Sequence, residues 1–378
     1  VSVMPTTTDR TAVLARGTLA LGVEEEFLLL DAERLAPAPV VDDVLDRVSP
    51  ALRASVRHAY LRTQIGVAGP PAGDLDALWR SMGLLREGVA DAAEAAGARL
   101  TAIGACPLTG PDAPVADLPR CHRTAERFGP LAPGHGLNST LVRVGVDDPE
   151  LAVQVLNHVR PWLPVLQAVT ANSPFHQGVD TGYASWRSIM WERWPSVGPA
   201  PRLESYAHYR HLLDDLIASG VVIDDGMLQW HARLAADGTA VELRIGDVCP
   251  SLEDTMLVAA LVRALVGTAI TDVGAGLPAP AINQQLLAAA HWRAAHDGLE
   301  GLAVDLVNQR PRPAWHLLRR LFDLVRPQLE RHGDLEIATV LMSRLRSHGS
   351  GAARQRAAFA RHGSIDGVLT ALTEATRG

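Results

Sequence analysis

Gly22-Val23-Glu24-Glu25-Glu26-Phe27 is the stretch that decides the fold. In an extended chain, side chains at i and i+2 share a face, roughly 7 Å apart. Val23, Glu25 and Phe27 therefore point one way, and Glu24 and Glu26 the other. The surrounding run Thr18–Asp31 reads as a strand that aims two carboxylates at one side of a sheet.

Other segments repeat the pattern. Ala59–Ala68 reads as a second strand, ended by Gly69-Pro70-Pro71, with Ile65 and Val67 opposite Gln64 and Gly66. Arg99–Ala105 reads as a third. In Asn138–Val146, Val142 and Val144 oppose Leu141 and Arg143. In Ala240–Val248, Val241, Leu243 and Ile245 oppose Glu242 and Arg244. Each strand offers an apolar face for helices and a face of ionisable groups, as antiparallel sheets commonly do. Paired glutamates there suit a hard cation such as Mg²⁺, which takes oxygen ligands. The same pattern also describes a solvated face with ordinary surface charges, and alternation alone does not choose.

Helical signals fill the rest. Asp74 caps a helix from Leu75 to about Ala98, and Gly97 helps to end it. Asp147-Asp148-Pro149 opens a helix through Val169, with bends expected at Pro161 and Pro164. Ser251-Leu252-Glu253-Asp254 resembles a capping box and opens a helix to about Thr268. From Ile282 onward the pattern is almost wholly helical. Asn172 to Pro201 is long, aromatic and Gly/Pro-rich, which is the signature of a functional loop rather than a connector. The expectation is an α+β protein. Its antiparallel sheet is covered on one face by helices, its C-terminal third is largely helical, and one domain, 18–378, follows a flexible leader, 1–17.

Composition narrows the function. The chain has 378 residues, 47% of them hydrophobic, and a formal net charge of −7. That balance argues against nucleic-acid and membrane-surface binding. All 35 basic residues are arginines, which excludes a phosphate-loop lysine and a Schiff-base lysine. Cys106, Cys121 and Cys249 are widely separated, so neither a zinc ribbon nor a disulfide framework is expected. The apolar run Met256–Ile270 is interrupted by Arg263 and is short for a bilayer span. A soluble, cytoplasmic protein is the expectation.

Several motifs point further. Gly22 to Asp31, Thr63-Gln64-Ile65, Pro70-Pro71 and Ala125 to Leu131 form one set. Ala171-Asn172-Ser173-Pro174-Phe175, Thr181 to Arg187, Val241-Glu242-Leu243-Arg244 and Gly349 to Arg356 form another. Together they resemble the type 2 glutamate–cysteine ligase family, the bacterial carboxylate–amine ligases, over nearly the whole chain from Leu21. The resemblance implies a partly curled sheet of the glutamine synthetase type and a homodimer. It implies ATP-dependent amide formation through an acyl phosphate, with Mg²⁺ on the triphosphate. Glu24, Glu26 and Glu242 match its metal positions. Arg244 matches an arginine near phosphate or substrate carboxylate, where a bidentate fork suits either group.

The departures sit on the same face. Gly66 stands where the family usually has a metal-binding glutamate. Leu141 and Arg143 stand where it commonly has histidines, and His231 follows Trp230 where an aspartate is usual. Gly69 and Ala105 replace threonines. Arg143 is therefore expected to stand in part for a metal by pairing with Glu24, Glu26 or Glu242. Three readings follow: an enzyme repurposed away from Mg-ATP chemistry, an ATP-dependent ligase with a reduced metal set, or a non-catalytic binding relative. Catalytic candidates are Glu24, Glu26, Glu242, Arg244, Arg143 and, as a base, His231. Gln64, Trp186, Arg187, Asn172 and Arg354 are the candidates for touching a substrate. His208 and His211 with Asp214 and Asp215, Cys121 beside His122, Cys249, and Arg356 read more simply as surface or core residues.

Overall fold

The eleven-residue strand β1 (Leu21–Asp31) lies at the centre of a seven-stranded antiparallel sheet. The computed structural model describes residues 19–108, 113–131 and 136–377; the expected leader, 1–17, lies outside them. β1 pairs on one side with β3 (Gln64–Ala68), which pairs with β2 (Val56–His58). Its other side is shared. β5 (Ser139–Gly145) takes the first half and β4 (Ala98–Thr101) the second. Two further strands, β8 (Ala232–Leu234) and β9 (Ala240–Asp247), complete the order β2-β3-β1-β5-β9-β8. Small hairpins are formed by β6 (Phe175–His176) with β7 (Val179–Asp180) and by β10 (Leu302–Asp305) with β11 (Arg310–Pro313).

Thirteen described helices surround the sheet. They are α1 (Val41–Arg47), α2 (Leu75–Ala95), α3 (Pro119–Phe128), α4 (Pro149–Val159), α5 (Leu163–Thr170), α6 (Trp186–Trp191) and α7 (Tyr206–Ala218). Then follow α8 (Leu252–Gly274), α9 (Gln284–Asp297), α10 (Ala314–His332), α11 (Leu335–His348), α12 (Gly351–His362) and α13 (Ile365–Arg377). Asp74 caps α2 by accepting from the Ala77 N–H at 2.7 Å, and the expected bend falls at a 3₁₀ turn, Arg160–Trp162, between α4 and α5.

The alternation of β1 carries the core. Leu21, Val23, Phe27 and Leu29 pack with Ile65, Val67, Val142, Val144, Val241 and Leu243 against buried residues of α2, α4, α5 and α8. Glu25 points into this same core and is fully buried. Arg86 of α2 grips it with two hydrogen bonds of 2.9 and 2.6 Å, and the Thr255 hydroxyl of α8 donates at 2.6 Å. The middle glutamate of the triplet thus ties the sheet to two helices.

The structure corrects four expectations. The second strand begins at Gln64, because the Gln64 side chain accepts from Leu61 N–H and donates to Leu137 and Asn138, locking a turn before it. The C-terminal third is interrupted by β10–β11, whose turn Asp305 holds by accepting from the N–H groups of Val307 and Asn308. The apolar helix α8 spans 23 residues, long and apolar enough to cross a membrane, but it is mostly buried in the core. There its Arg263 pairs with Asp334 and donates to Gly73 O at 3.1 Å. Finally, the second face of the sheet is not wholly open. Leu28 and Leu30 are covered by Ala358 of α12 and by Val368, Leu369 and Leu372 of α13. The open part of the polar face lies over Glu24 and Glu26.

Candidate active site

A charge ladder crosses the sheet on that open face. Arg57 of β2 pairs with Oε1 of Glu24, and Arg143 of β5 lies 3.7 Å from its Oε2. The same Arg143 guanidinium reaches Oε1 of Glu242 on β9 at 2.6 Å, and Arg233 of β8 holds Oε2 of Glu242 at 2.9 Å. Arg57, Glu24, Arg143, Glu242 and Arg233 thus alternate in sign from one edge of the sheet to the other. Register explains the row, because Arg57 faces Gly66, Gly22 faces Arg143, and Glu242 faces both Arg143 and Arg233. Gly66 lies beneath the reach of Arg57. A Cβ there would rest in ordinary contact with the Arg57 stem, 3.4 Å from Cγ and 3.7 Å from Nε, so Arg57 crosses β3 directly over residue 66 and only a longer side chain would contest its path to Glu24. Burial raises the pKa of Glu242, but Arg233, Arg143 and Arg244 outweigh it and hold the carboxyl below its usual value.

A second cluster adjoins the ladder. Glu26 accepts from the Ser139 hydroxyl at 2.6 Å and from its N–H at 3.1 Å. Two residues of β5, Thr140 and Val142, pair with Gly246 and Leu243, so β9 carries an extra residue between them. This bulge turns Asp247 to face Ser139 on the site side of the sheet. Asp247 accepts from Ser173, Ser185 and Asn172 N–H at 2.7–2.9 Å, and Arg187 of α6 lies 3.6 Å away. The Arg187 guanidinium, 2% exposed, sits 4.6 Å over the Trp191 ring, and its Nε and Nη1 have no hydrogen-bond partner. The Nε of Arg244 also lacks one. Burial and nearby Arg233 lower Arg244 to about 10, partly offset by Glu242 and Glu26.

His231 lies beside Arg244, whose N–H donates to the His231 carbonyl at 2.9 Å. Its ring is buried and meets His291 of α9, Nδ1 to Nε2 at 3.3 Å. His291 Nδ1 in turn meets the Gln167 side-chain oxygen at 2.7 Å, and Gln167 donates to Ser188. Because an amide oxygen only accepts, His291 carries its proton on Nδ1 and His231 donates from its own Nδ1. Burial and the Arg187 charge lower His231 to about 3, so it is neutral at ordinary pH and a weak base.

The comparisons with known proteins agree with this frame. The sequence profile described as glutamate–cysteine ligase family 2 matches residues 20–372. The chain belongs to glutamate–cysteine ligase family 2. A relative from Salinispora arenicola, provisionally named glutamate–cysteine ligase 2, is 50% identical over 95% of this chain and 96% of its own length. One from Saccharopolyspora erythraea, similarly named, is 43% identical over 93% of each. Among solved structures, the glutamate–cysteine ligase of Francisella tularensis in complex with AMP superposes with a TM-score of 0.70 at 12% identity, over 96% of this chain and 89% of that one. A bifunctional glutathione synthetase from Pasteurella multocida gives 0.70 at 14% identity, over 98% of this chain and 53% of that one. The shared fold is the α+β arrangement described above.

In this family member the site residues as placed do not fit a divalent cation. All four carboxylate oxygens of Glu24 and Glu242 are in ion pairs. Gly66 and Leu141 offer no ligand atoms, and among the described residues no three His, Cys, Asp or Glu side chains converge to hold an ion. Glu24, Glu26, Glu242, Arg143, Arg244 and His231 do lie together on one face. The substrate candidates divide. Trp186 and Arg187 are consecutive in α6 and diverge, Trp186 packing on His176 and Tyr183 while Arg187 turns toward Asp247. Gln64, as above, closes a turn. Asn172 donates to Ala102 O and Val248 O and accepts from Gln355, and Arg354 pairs with Asp254 at 2.5 Å. These three spend their polar atoms on the fold. His211 and Asp215 pair on exposed α7, and His122 turns to Asp117 rather than Cys121. Arg57, Arg233, Asp247 and His291 escaped the sequence reading. Only Arg233 left a signal, two residues after His231 and so on the same strand face.

Proposed function

We propose that this chain is a small-molecule enzyme whose sheet face receives a carboxylate-bearing, glutamate-like or acyl substrate, with the Mg-ATP chemistry of its family reduced or lost. The observation that carries this reading is the surplus of positive charge. Among the described residues, Arg57, Arg143, Arg233, Arg244 and Arg187 meet Glu24, Glu26, Glu242 and Asp247, five positive groups against four negative. Arg187 and Arg244 keep buried N–H groups unpaired, and leaving these desolvated without a partner costs about 1–3 kcal/mol per group. A carboxylate would satisfy them with charge-assisted hydrogen bonds, bidentately where the guanidinium fork allows.

A second reading, an ATP-dependent ligase forming a γ-glutamyl-type amide, is favoured by the names of the close relatives and by the AMP held by the Francisella tularensis enzyme. One experiment separates the two. L-Glutamate and simple carboxylates are titrated calorimetrically into metal-free protein, and ADP release is assayed with ATP, Mg²⁺, glutamate and a panel of amines. Carboxylate binding without metal or nucleotide, weakened about tenfold or more in Arg244→Met, supports the first reading. Tight Mg-ATP binding with amine-dependent ADP release overturns it.

A further inference from the structure

We propose that Arg57 and Arg143 are a tethered cation, two guanidinium groups placed where an ion would bridge Glu24, Glu26 and Glu242, and that removing them uncovers a divalent-metal site. The proposal rests on the reading above, in which the site works without magnesium, and adds which side chains exclude the ion.

The geometry assigns the roles. Arg143 touches both Glu24 and Glu242 through one guanidinium, 3.7 Å from the first and 2.6 Å from the second, so a single positive group links two carboxylates from different strands. Arg57 takes the remaining oxygen of Glu24, and it arrives by crossing β3 directly over Gly66. A glutamate at 66 would stand in that path. Arg143 meets the two carboxylates as an ion pair rather than through aligned hydrogen bonds, and a guanidinium, permanently charged and more weakly hydrated than an ammonium, suits that task.

Charge decides the rest. Four arginines against three glutamates leave a formal excess of one positive charge, which repels a free divalent ion. Without Arg57 and Arg143, two arginines, Arg233 and Arg244, face the same three glutamates, and the sign reverses. Oxygen ligands from three carboxylates are what Mg²⁺ and Mn²⁺ take. Both arginine side chains reach solvent, Arg57 at 47% and Arg143 at 32% exposure, so they can be shortened without opening the core.

The test uses full-length protein and Mn²⁺ alone, followed by loss of the free-ion paramagnetic resonance signal. Wild type leaves the signal unchanged through the low millimolar range. Arg57→Ala/Arg143→Met binds Mn²⁺ about tenfold or more tightly, the scale on which single supporting side chains alter metal affinity. Adding Glu24→Gln abolishes that gain. If the double variant binds no better than wild type while wild type binds weakly, the tethered-cation proposal fails and the functional reading stands. If wild type itself binds Mn²⁺ at this face, lost in Glu24→Gln, the reading fails as well. Should the double variant not fold, as read by circular dichroism, Arg57→Gln/Arg143→Gln removes the same two charges while keeping longer side chains, and no gain there overturns the proposal.

Discussion

Replacing Glu25 with methionine tests whether the three adjacent glutamates do different work. Glu25 is fully buried, and Arg86, 1% exposed, spends two of its hydrogen bonds on it. Without Glu25, Arg86 keeps only the Cys249 carbonyl at 3.0 Å, the Thr255 hydroxyl at 3.1 Å and the Phe27 ring at 5.2 Å. None of these carries the missing charge, and stranding one member of a buried pair costs about 3–5 kcal/mol. At about 2.1 cal/mol/K per residue, 378 residues unfold with about 0.8 kcal/mol/K, so Tm falls by about 4–6 °C. Glu25→Met/Arg86→Met removes both charges and returns to within about 1 kcal/mol of wild type or above it. Glu24→Gln, beside the largely exposed Arg57, changes stability by less than about 1 kcal/mol. Urea unfolding of the four proteins provides the measurement. A single-variant loss below about 1 kcal/mol, or a double variant as weak as Glu25→Met, refutes the argument.

Three further outcomes are expected. The folded pKa of His231 is about 3 against an ordinary imidazole value of 6.5, so the unfolded chain takes up the proton first as pH falls; its contribution to stability is complete above pH 6.5 and is lost toward pH 3. At pH 5 the loss is about 2 kcal/mol, with His291 acting in the same direction, and ¹⁵N NMR should show both rings neutral and Nδ1-protonated from pH 5 to 8. A ring titrating near 6.5 contradicts this. Gly104→Ala places a Cβ 2.6 Å from the Asp247 carboxylate and should cost about 1–3 kcal/mol by denaturant titration, whereas Gly274→Ala, with open space at that position, should cost nothing from contact. Asp247→Asn strands the buried Arg187 and should lower stability by about 3 kcal/mol, most of it recovered in Asp247→Asn/Arg187→Met; no recovery would show that the serine hydrogen bonds, not the ion pair, carry the effect.

The polar face of β1 was legible because alternation is strict where one face is buried. Glu24 and Glu26 separated from Glu25 on that basis alone, and Glu242 with Arg244 followed by the same rule. The rule failed at Asp247, which alternation assigns to the apolar side with Ile245. The bulge in β9 inserts one residue and reverses the parity; Gly246 beside it is the one sequence signal, since an isolated glycine within a strand often marks a bulge. Trp186 and Arg187 are both candidates for touching a substrate, but successive residues on a helix point about 100° apart, and these two diverge onto different partners.

Gly66 shows where a linear reading stops. In the sequence it is only an absence, a position where the family resemblance calls for a carboxylate. In the sheet it lies between Arg57 on β2 and Glu26 on β1, and Arg57 crosses directly over it to reach Glu24. Arg57 lies nine positions earlier, on a three-residue strand too short to read from pattern. Residues 57 and 66 are therefore coupled in this sheet, because a long side chain at 66 and the Arg57 stem would share the same space. That coupling makes Arg57→Ala more informative than Gly66→Glu. The first removes the guanidinium and leaves the strand register alone. The second must also displace Arg57, so its effect would combine an added carboxylate with a broken ion pair.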